Sequence, residues 1–198
     1  MDMAYWNLEG SDTMDKLLSE MTLEELWRLF PIQLTEHQAC WVDWYQEEKD
    51  HLIPVLPDTV KVHHIGSTSI DGIWAKPIID ILIEADFCDF DVIKNRLLEN
   101  GYISMAEGDK RIDFNKGYTP NGFEKKIFHL HLRKHGNNDE LYFRDYLIEH
   151  PEIAKVYEKL KLSLWKPFEH NRDGYTESKT AFVHEYTHKA IIQYGKIY

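Results

Sequence analysis

The residues best suited to chemistry lie between His63 and Glu84, in the stretch HHIGSTSIDGIWAKPIIDILIE. Gly66-Ser67 follows a β-branched run and precedes a short helical piece. Backbone amides and a hydroxyl can therefore approach a phosphate chain there without a Cβ in the way, and Thr68 offers a second hydroxyl. Alone, such a turn is common and serves structure as readily as function. Asp80 lies inside the apolar run Ile78 to Ile83, where an ionised carboxylate is expensive unless paired or bound to a metal. Strand alternation puts Asp80, Leu82 and Glu84 on one face. Asp80 and Glu84 are thus the candidate catalytic and metal-holding acids, since Mg2+ keeps waters and phosphate oxygens and needs only one or two protein carboxylates. The competing reading is an ion pair from Asp80 to Lys76, Arg111 or Arg133.

A second concentration of polar groups is Phe128 to Arg133, FHLHLR, which places His129, His131 and Arg133 on one strand face. Such a row can ligate a metal or hold phosphates, and it can equally consist of satisfied structural residues. Lys76, Arg111 and Arg133 are candidate phosphate-binding cations. A further motif, His184-Glu185-Tyr186-Thr187-His188, matches H-E-x-x-H. On a helix that puts two histidines on one face with a glutamate as possible base for zinc hydrolysis. No third-ligand pattern follows it.

The composition bounds these options. The 198 residues suit one substantial domain, with 43% hydrophobic residues, and no apolar run approaches the roughly 18 residues of a membrane span. The N-terminal sequence MDMAYWNLEG lacks an export signal, and Cys40 and Cys88 have no metal-ligand spacing, which together predict a cytoplasmic protein. A net charge of -11 disfavours extended nucleic-acid binding. It does not disfavour a nucleotide whose charge Mg2+ offsets.

The elements that must position these residues follow from periodicity. Ser11 to Phe30 reads as short helical pieces with a capping box at Thr22 to Glu25, and Glu36 to Val55 as an amphipathic helix. Strands are expected over Thr59 to Ile65, Pro77 to Glu84, Tyr102 to Met105, Arg111 to Lys116 and Lys125 to Arg133. A helical piece is expected at Ser69 to Ala75, a helix at Asp89 to Asn100, and turns at EGD and GYTPNG. Asp139 to His150, Glu152 to Pro167 and Thr176 to Tyr194 have helical spacing. Residues 1–56 form a helical extension packed on a core of residues 57–198.

The stretch from His63 to Glu84, with FHLHLR, FRDYLIEHPEIAKVYEKLK and YTESKTAFV, resembles the GrpB family of the nucleotidyltransferase superfamily from about Leu52 to Tyr194. The resemblance implies an α+β, nucleotidyltransferase-like fold, a mixed central β-sheet flanked by N-terminal and C-terminal helices. It also implies a metal-dependent protein that binds an NTP, ATP being the expected one, at Gly66, Ser67, Thr68, Lys76, Arg111 and Arg133. Asp80, Glu84, His129 and His131 would hold Mg2+ or another divalent metal while a nucleotidyl group passes to an acceptor the sequence does not identify. Superfamily members carry Asp-hydrophobic-Asp/Glu after the turn. Here Leu82 stands where the second acid belongs, His131 or a neighbour lies near the third, and Asp71 replaces a frequent proline. The alternative from a different class is therefore a nucleotide- or partner-binding module without catalysis, with zinc hydrolysis at HEYTH a third reading. Base preference and oligomeric state stay open.

Overall fold

Alternating and near-continuous apolar runs decide the sheet. The computed structural model describes residues 17–198, so the start of the expected helical stretch, Ser11 to Lys16, lies outside the described residues. Strands β1 (Lys61–Ile65), β2 (Ile79–Ala85), β3 (Ile103–Gly108), β4 (Arg111–Thr119) and β5 (Gly122–Lys134) form one mixed sheet in the order β1-β2-β5-β4-β3. The β2 and β5 strands run parallel, and the other neighbours pair antiparallel. A parallel pair cannot be closed by a tight turn. The crossover here carries a helix and the β3–β4 hairpin.

The helices are α1 (Leu23–Leu29), α2 (Cys40–Leu52), α3 (Phe90–Glu99), α4 (Asp139–Glu149), α5 (Pro151–Trp165) and α6 (Arg172–Tyr194). The capping box is formed: the Thr22 amide donates to Glu25 Oε2 at 2.7 Å, and the Glu25 amide to Thr22 Oγ1 at 3.3 Å. One sheet face is apolar. Ile79, Ile81 and Ile83 join Leu130, Leu132 and Phe114 with Trp41 and Leu52 of α2 and Ile93 and Leu97 of α3. Each such buried side chain contributes about 1.5–3 kcal/mol. On the opposite face β2, β5 and β4 carry Asp80, His129, His131 and Asp113, while Ile70 and Ile73 pack with α4, α5 and α6. That face holds the site.

Three local expectations need correction. Ser69 to Ala75 is not helical beyond a single 3-10 turn at Ser67–Ser69, because its later backbone groups bond elsewhere. The Trp74 amide donates to Glu158 of α5 at 2.7 Å, its carbonyl accepts from Lys161, and Ala75 bridges Thr35. The GYTPNG turn contracts to Pro120 and Asn121. Gly117, at φ 88°, forms a bulge that lets β4 continue to Thr119, and a Cβ there would fall 3.1 Å from the Ile127 Cα. Finally, α6 starts at Arg172, four residues earlier than the spacing suggests, because Asn171 caps it by accepting from the Gly174 amide at 2.9 Å.

Candidate functional site

Strand register assembles the polar face. Asp80 on β2 pairs in register with His129 on β5, and His131 lies between Leu82 on β2 and Asp113 on β4. Asp80 Oδ1 lies 3.3 Å from His129 Nδ1 and 3.7 Å from His131 Nε2, and His131 Nδ1 is 2.9 Å from Asp113. The chain continues through Arg133, 2.7 Å from Asp113 and 3.2 Å from Glu140. Burial opposes a charge on His131, but the hydrogen bond to Asp113 and the close carboxylate of Asp80 outweigh it and raise its pKa to about 9. Asp80 is half-buried, which opposes its charge, yet the adjoining imidazoles of His129 and His131 hold it far below the usual carboxylate range. His129 stays neutral, as burial lowers it to about 4. Its Nε2 then accepts from Arg172 at 2.8 Å, with the Tyr118 hydroxyl 2.7 Å away.

The Gly66 turn closes over this cluster. Gly66 adopts φ 72° and ψ -174°, a region essentially restricted to glycine, and its Ser67 neighbour lines the same crevice as Tyr157 of α5. Thr68 is spoken for: its hydroxyl donates to the Ile78 carbonyl at 3.4 Å and lies 3.0 Å from His64 Nε2. Between the turn, β2, β5 and the helices α5 and α6 lies a crevice of about 720 Å³. Its cations are Lys76, Arg111, Lys161 and Lys179. Burial lowers Lys161 to about 7 and Lys179 to about 8; neighbouring positive charges add to the effect, and Asp80, with Glu158 beside Lys161, opposes it. Lys76 is depressed well below its ordinary value for the same reasons, burial first and then Arg172 and Lys179.

Of the residues expected from sequence, the crevice brings together Gly66, Ser67, Thr68, Lys76, Asp80, Arg111, His129 and His131. Glu84 is not among them. It is 2% exposed, accepts from Asn138 at 2.8 Å and from the Gly136 amide at 3.4 Å, and lies 3.1 Å from His63. It shares a strand face with Asp80, but three residues of extended chain and the packing of α4 on Leu82 separate them. Arg133 is also diverted, buried in its pairs with Asp113 and Glu140. The partners of Asp80 are the two histidines rather than Lys76, Arg111 or Arg133.

A catalytic pair of divalent ions needs converging carboxylates that this arrangement does not offer. Leu82, at the second acid's position, is fully buried against Ile65 and Leu141 of α4. Both nitrogens of His129 and of His131 already face other side chains. Among the described residues no group of three His, Cys, Asp or Glu side chains is arranged to hold a metal ion. That applies to HEYTH as well, where His184 lines the crevice, His188 is exposed, and Glu185 pairs with Lys189 at 2.6 Å.

Sequence reading passed over Asp113, Tyr157, Lys161, Arg172, Tyr175 and Lys179. A signal was available. Tyr157/Lys161 and Tyr175/Lys179 repeat the same Tyr-x-x-x-Lys spacing on two helices, and i,i+4 neighbours meet on a helix surface. Lys161 Nζ indeed lies 4.9 Å from the Tyr157 ring centre and Lys179 Nζ 4.3 Å from that of Tyr175.

The family model described as "GrpB protein" matches residues 31–189. The UPF0157 protein YqkA of Bacillus subtilis (strain 168) is 32% identical over 169 residues, covering 81% of this chain and 48% of that protein. The chain therefore spans about half of that relative. Glutamate-rich protein GrpB of Alkalihalophilus pseudofirmus is 35% identical over 160 residues, covering 77% of this chain and 91% of the relative. The crystal structure of conserved protein GrpB from Enterococcus faecalis superposes with TM-score 0.72 at 32% identity, over 82% of this chain and 99% of that one.

Proposed function

The chain belongs to the GrpB family, and from that premise we propose that it is a nucleotide-binding protein whose crevice takes a nucleoside triphosphate. The observation that carries this reading is the concentration of Lys76, Lys161, Lys179 and Arg111 in one crevice of a chain with net charge -11. Cations so placed oppose the bulk field and select a compact anion. The Gly66-Ser67 turn lines the crevice beside them with the Ser67 hydroxyl, and the apolar Ile65, Phe143 and Val183 supply a wall for a base. The volume is in the range of nucleotide-sized pockets.

Residues of this chain do the binding. Ser67 and the turn's amides approach a phosphate, Lys76 and Arg111 balance its charge, and the His131–Asp80 pair keeps the carboxylate from repelling it. The donors do not fit a two-metal centre, so no step is assigned to Mg2+. Isothermal titration with a non-hydrolysable ATP analogue tests the reading. Wild-type protein binds, and a Ser67→Ala/Lys76→Met double variant binds at least about tenfold more weakly. Equal affinity in the two proteins would sink the proposal.

Nucleotidyl transfer to an acceptor is the second reading, favoured by one observation, the ionised Asp80 beside the Gly66 turn. Pyrophosphate release from an NTP, abolished by Asp80→Ala, would establish it. Binding without turnover across a panel of small-molecule, protein and RNA-end acceptors would leave the binding module.

A further inference from the structure

The lysines of the crevice floor form no direct ion pair; Asp80 and, for Lys161, Glu158 act on them only at longer range. The ion-paired lysines among the described residues are Lys94, Lys116, Lys126, Lys155, Lys166 and Lys189. Lys76, Lys161 and Lys179 are not among them. Lys161 is 2% exposed and donates only to the Trp74 carbonyl. The carboxylates that line the same crevice are Asp80, Asp139 and Glu140. Asp80 is engaged by His129 and His131, Glu140 by Arg133, and Asp139 is exposed. A buried ammonium without a partner is costly.

A second observation is independent of charge. Tyr175 lines the crevice and is 1% exposed, yet its hydroxyl has no hydrogen-bond partner. Buried polar groups are nearly always bonded. The Nζ atoms of Lys179 and Lys76 lie 4.3 and 5.6 Å from the centre of the same ring, so both ammoniums stand beside the ring that carries the unbonded hydroxyl. The acceptor must carry several negative charges to balance three lysines. Carboxylates supply one charge each, whereas a phosphate chain supplies several within a short length.

We propose that Lys76, Lys161, Lys179 and the Tyr175 hydroxyl form a site for a polyphosphate group that needs no divalent metal, the protein's own ammonium groups neutralising the ligand's charge. The idea rests on the nucleotide reading only for the source of that group. A nucleotide's phosphate tail and a free inorganic polyphosphate present the same chemistry here.

The test is titration calorimetry of the full chain with inorganic tripolyphosphate and, separately, a non-hydrolysable ATP analogue, each in EDTA and in Mg2+. Tripolyphosphate is expected to bind in EDTA, about tenfold more weakly to Lys179→Met and several-fold more weakly to Tyr175→Phe. Because the Tyr175 hydroxyl is unbonded without ligand, Tyr175→Phe should leave the melting temperature unchanged or raised, which separates a binding role from a structural one. Tripolyphosphate binding without nucleotide binding overturns the nucleotide reading and keeps this site. Binding of either ligand only in Mg2+, or unaltered by Lys179→Met and Tyr175→Phe together, overturns the site and keeps the nucleotide reading. Absence of binding by both ligands overturns both.

Discussion

Gly66 and Asp80 approach so closely that a Cβ built on the glycine would lie 2.9 Å from both Cβ and Cγ of the aspartate and nearer still to its Oδ2. The turn and the acid are therefore one unit. Gly66 holds φ 72°, and the absence of a side chain lets the backbone lie against the carboxylate.

Gly66→Ala should destabilise the protein by about 3 kcal/mol or more, the sum of backbone strain and the clash. In an Asp80→Ala background its additional penalty should shrink by about 1 kcal/mol or more, because Cγ and the oxygens are gone. Urea unfolding of the four proteins in the cycle measures this. Strict additivity would show that the two residues do not press on each other.

His131 should make stability depend on pH. Its folded pKa, about 9, lies above the ordinary histidine value of 6.5. The stabilisation is fully present below pH 6.5 and is lost as pH rises through 9. The amount is on the order of 2 kcal/mol. Lys161 and Lys179, with folded values of about 7 and 8 below the ordinary 10.5, act in the opposite sense, since their penalty is relieved as pH rises. The comparison is therefore between wild type and His131→Gln, by denaturant unfolding at pH 6, 7.5 and 9. The gap should narrow with pH, and a constant gap would refute the imidazolium assignment.

The same lysine shifts govern ligand affinity. An anion at the crevice floor needs the ammonium forms, so tripolyphosphate should bind best below pH 7 and lose about tenfold or more between pH 7 and 9. Binding near pH 8 should take up protons, visible as a dependence of the calorimetric heat on buffer ionisation enthalpy. Charged and titratable neighbours that shape the range are Asp80, Arg172, Glu158 and Lys155. Affinity that is flat from pH 6 to 9 would place the ligand elsewhere.

Glu84 belongs to the framework. Glu84→Ala leaves Asn138 and His63 with unmet buried partners and should destabilise by about 2–3 kcal/mol. Tripolyphosphate affinity of the folded variant should equal that of wild type. A large loss of affinity with unchanged stability would return Glu84 to the site.

Leu82→Asp would complete the acidic pair on paper and should instead unfold much of the structure. The position is fully buried between Ile65 and Leu141, and an unpaired carboxylate there is worth about 3 kcal/mol or more of lost stability. Circular dichroism melting decides the matter. A stable variant that gains metal affinity would show that α4 does not close this position.

Local pattern by itself determined the sheet strands, the Thr22 capping box, the helices from Cys40 onward to within a few residues except the piece expected at Ser69 to Ala75, and the pairing of a Gly-Ser turn with an acid thirteen to fourteen residues later. Those features depend on periodicity and on short-range hydrogen bonds, which the order of residue types carries. Strand alternation also put Asp80, Leu82 and Glu84 on one face. It could not say that α4 covers Leu82 and that Asn138 and Gly136 draw Glu84 away, because those partners lie more than fifty residues off. Nor could it bring Asp113 to His131, or Lys161 and Lys179 from two separate helices to Asp80. Such meetings are set by inter-strand register and by how α5 and α6 pack on the loop at Trp74. Tertiary structure alone decided that the crevice is rich in cations and poor in free carboxylates, since the charge at a site is a sum over residues that only folding brings within reach of one another.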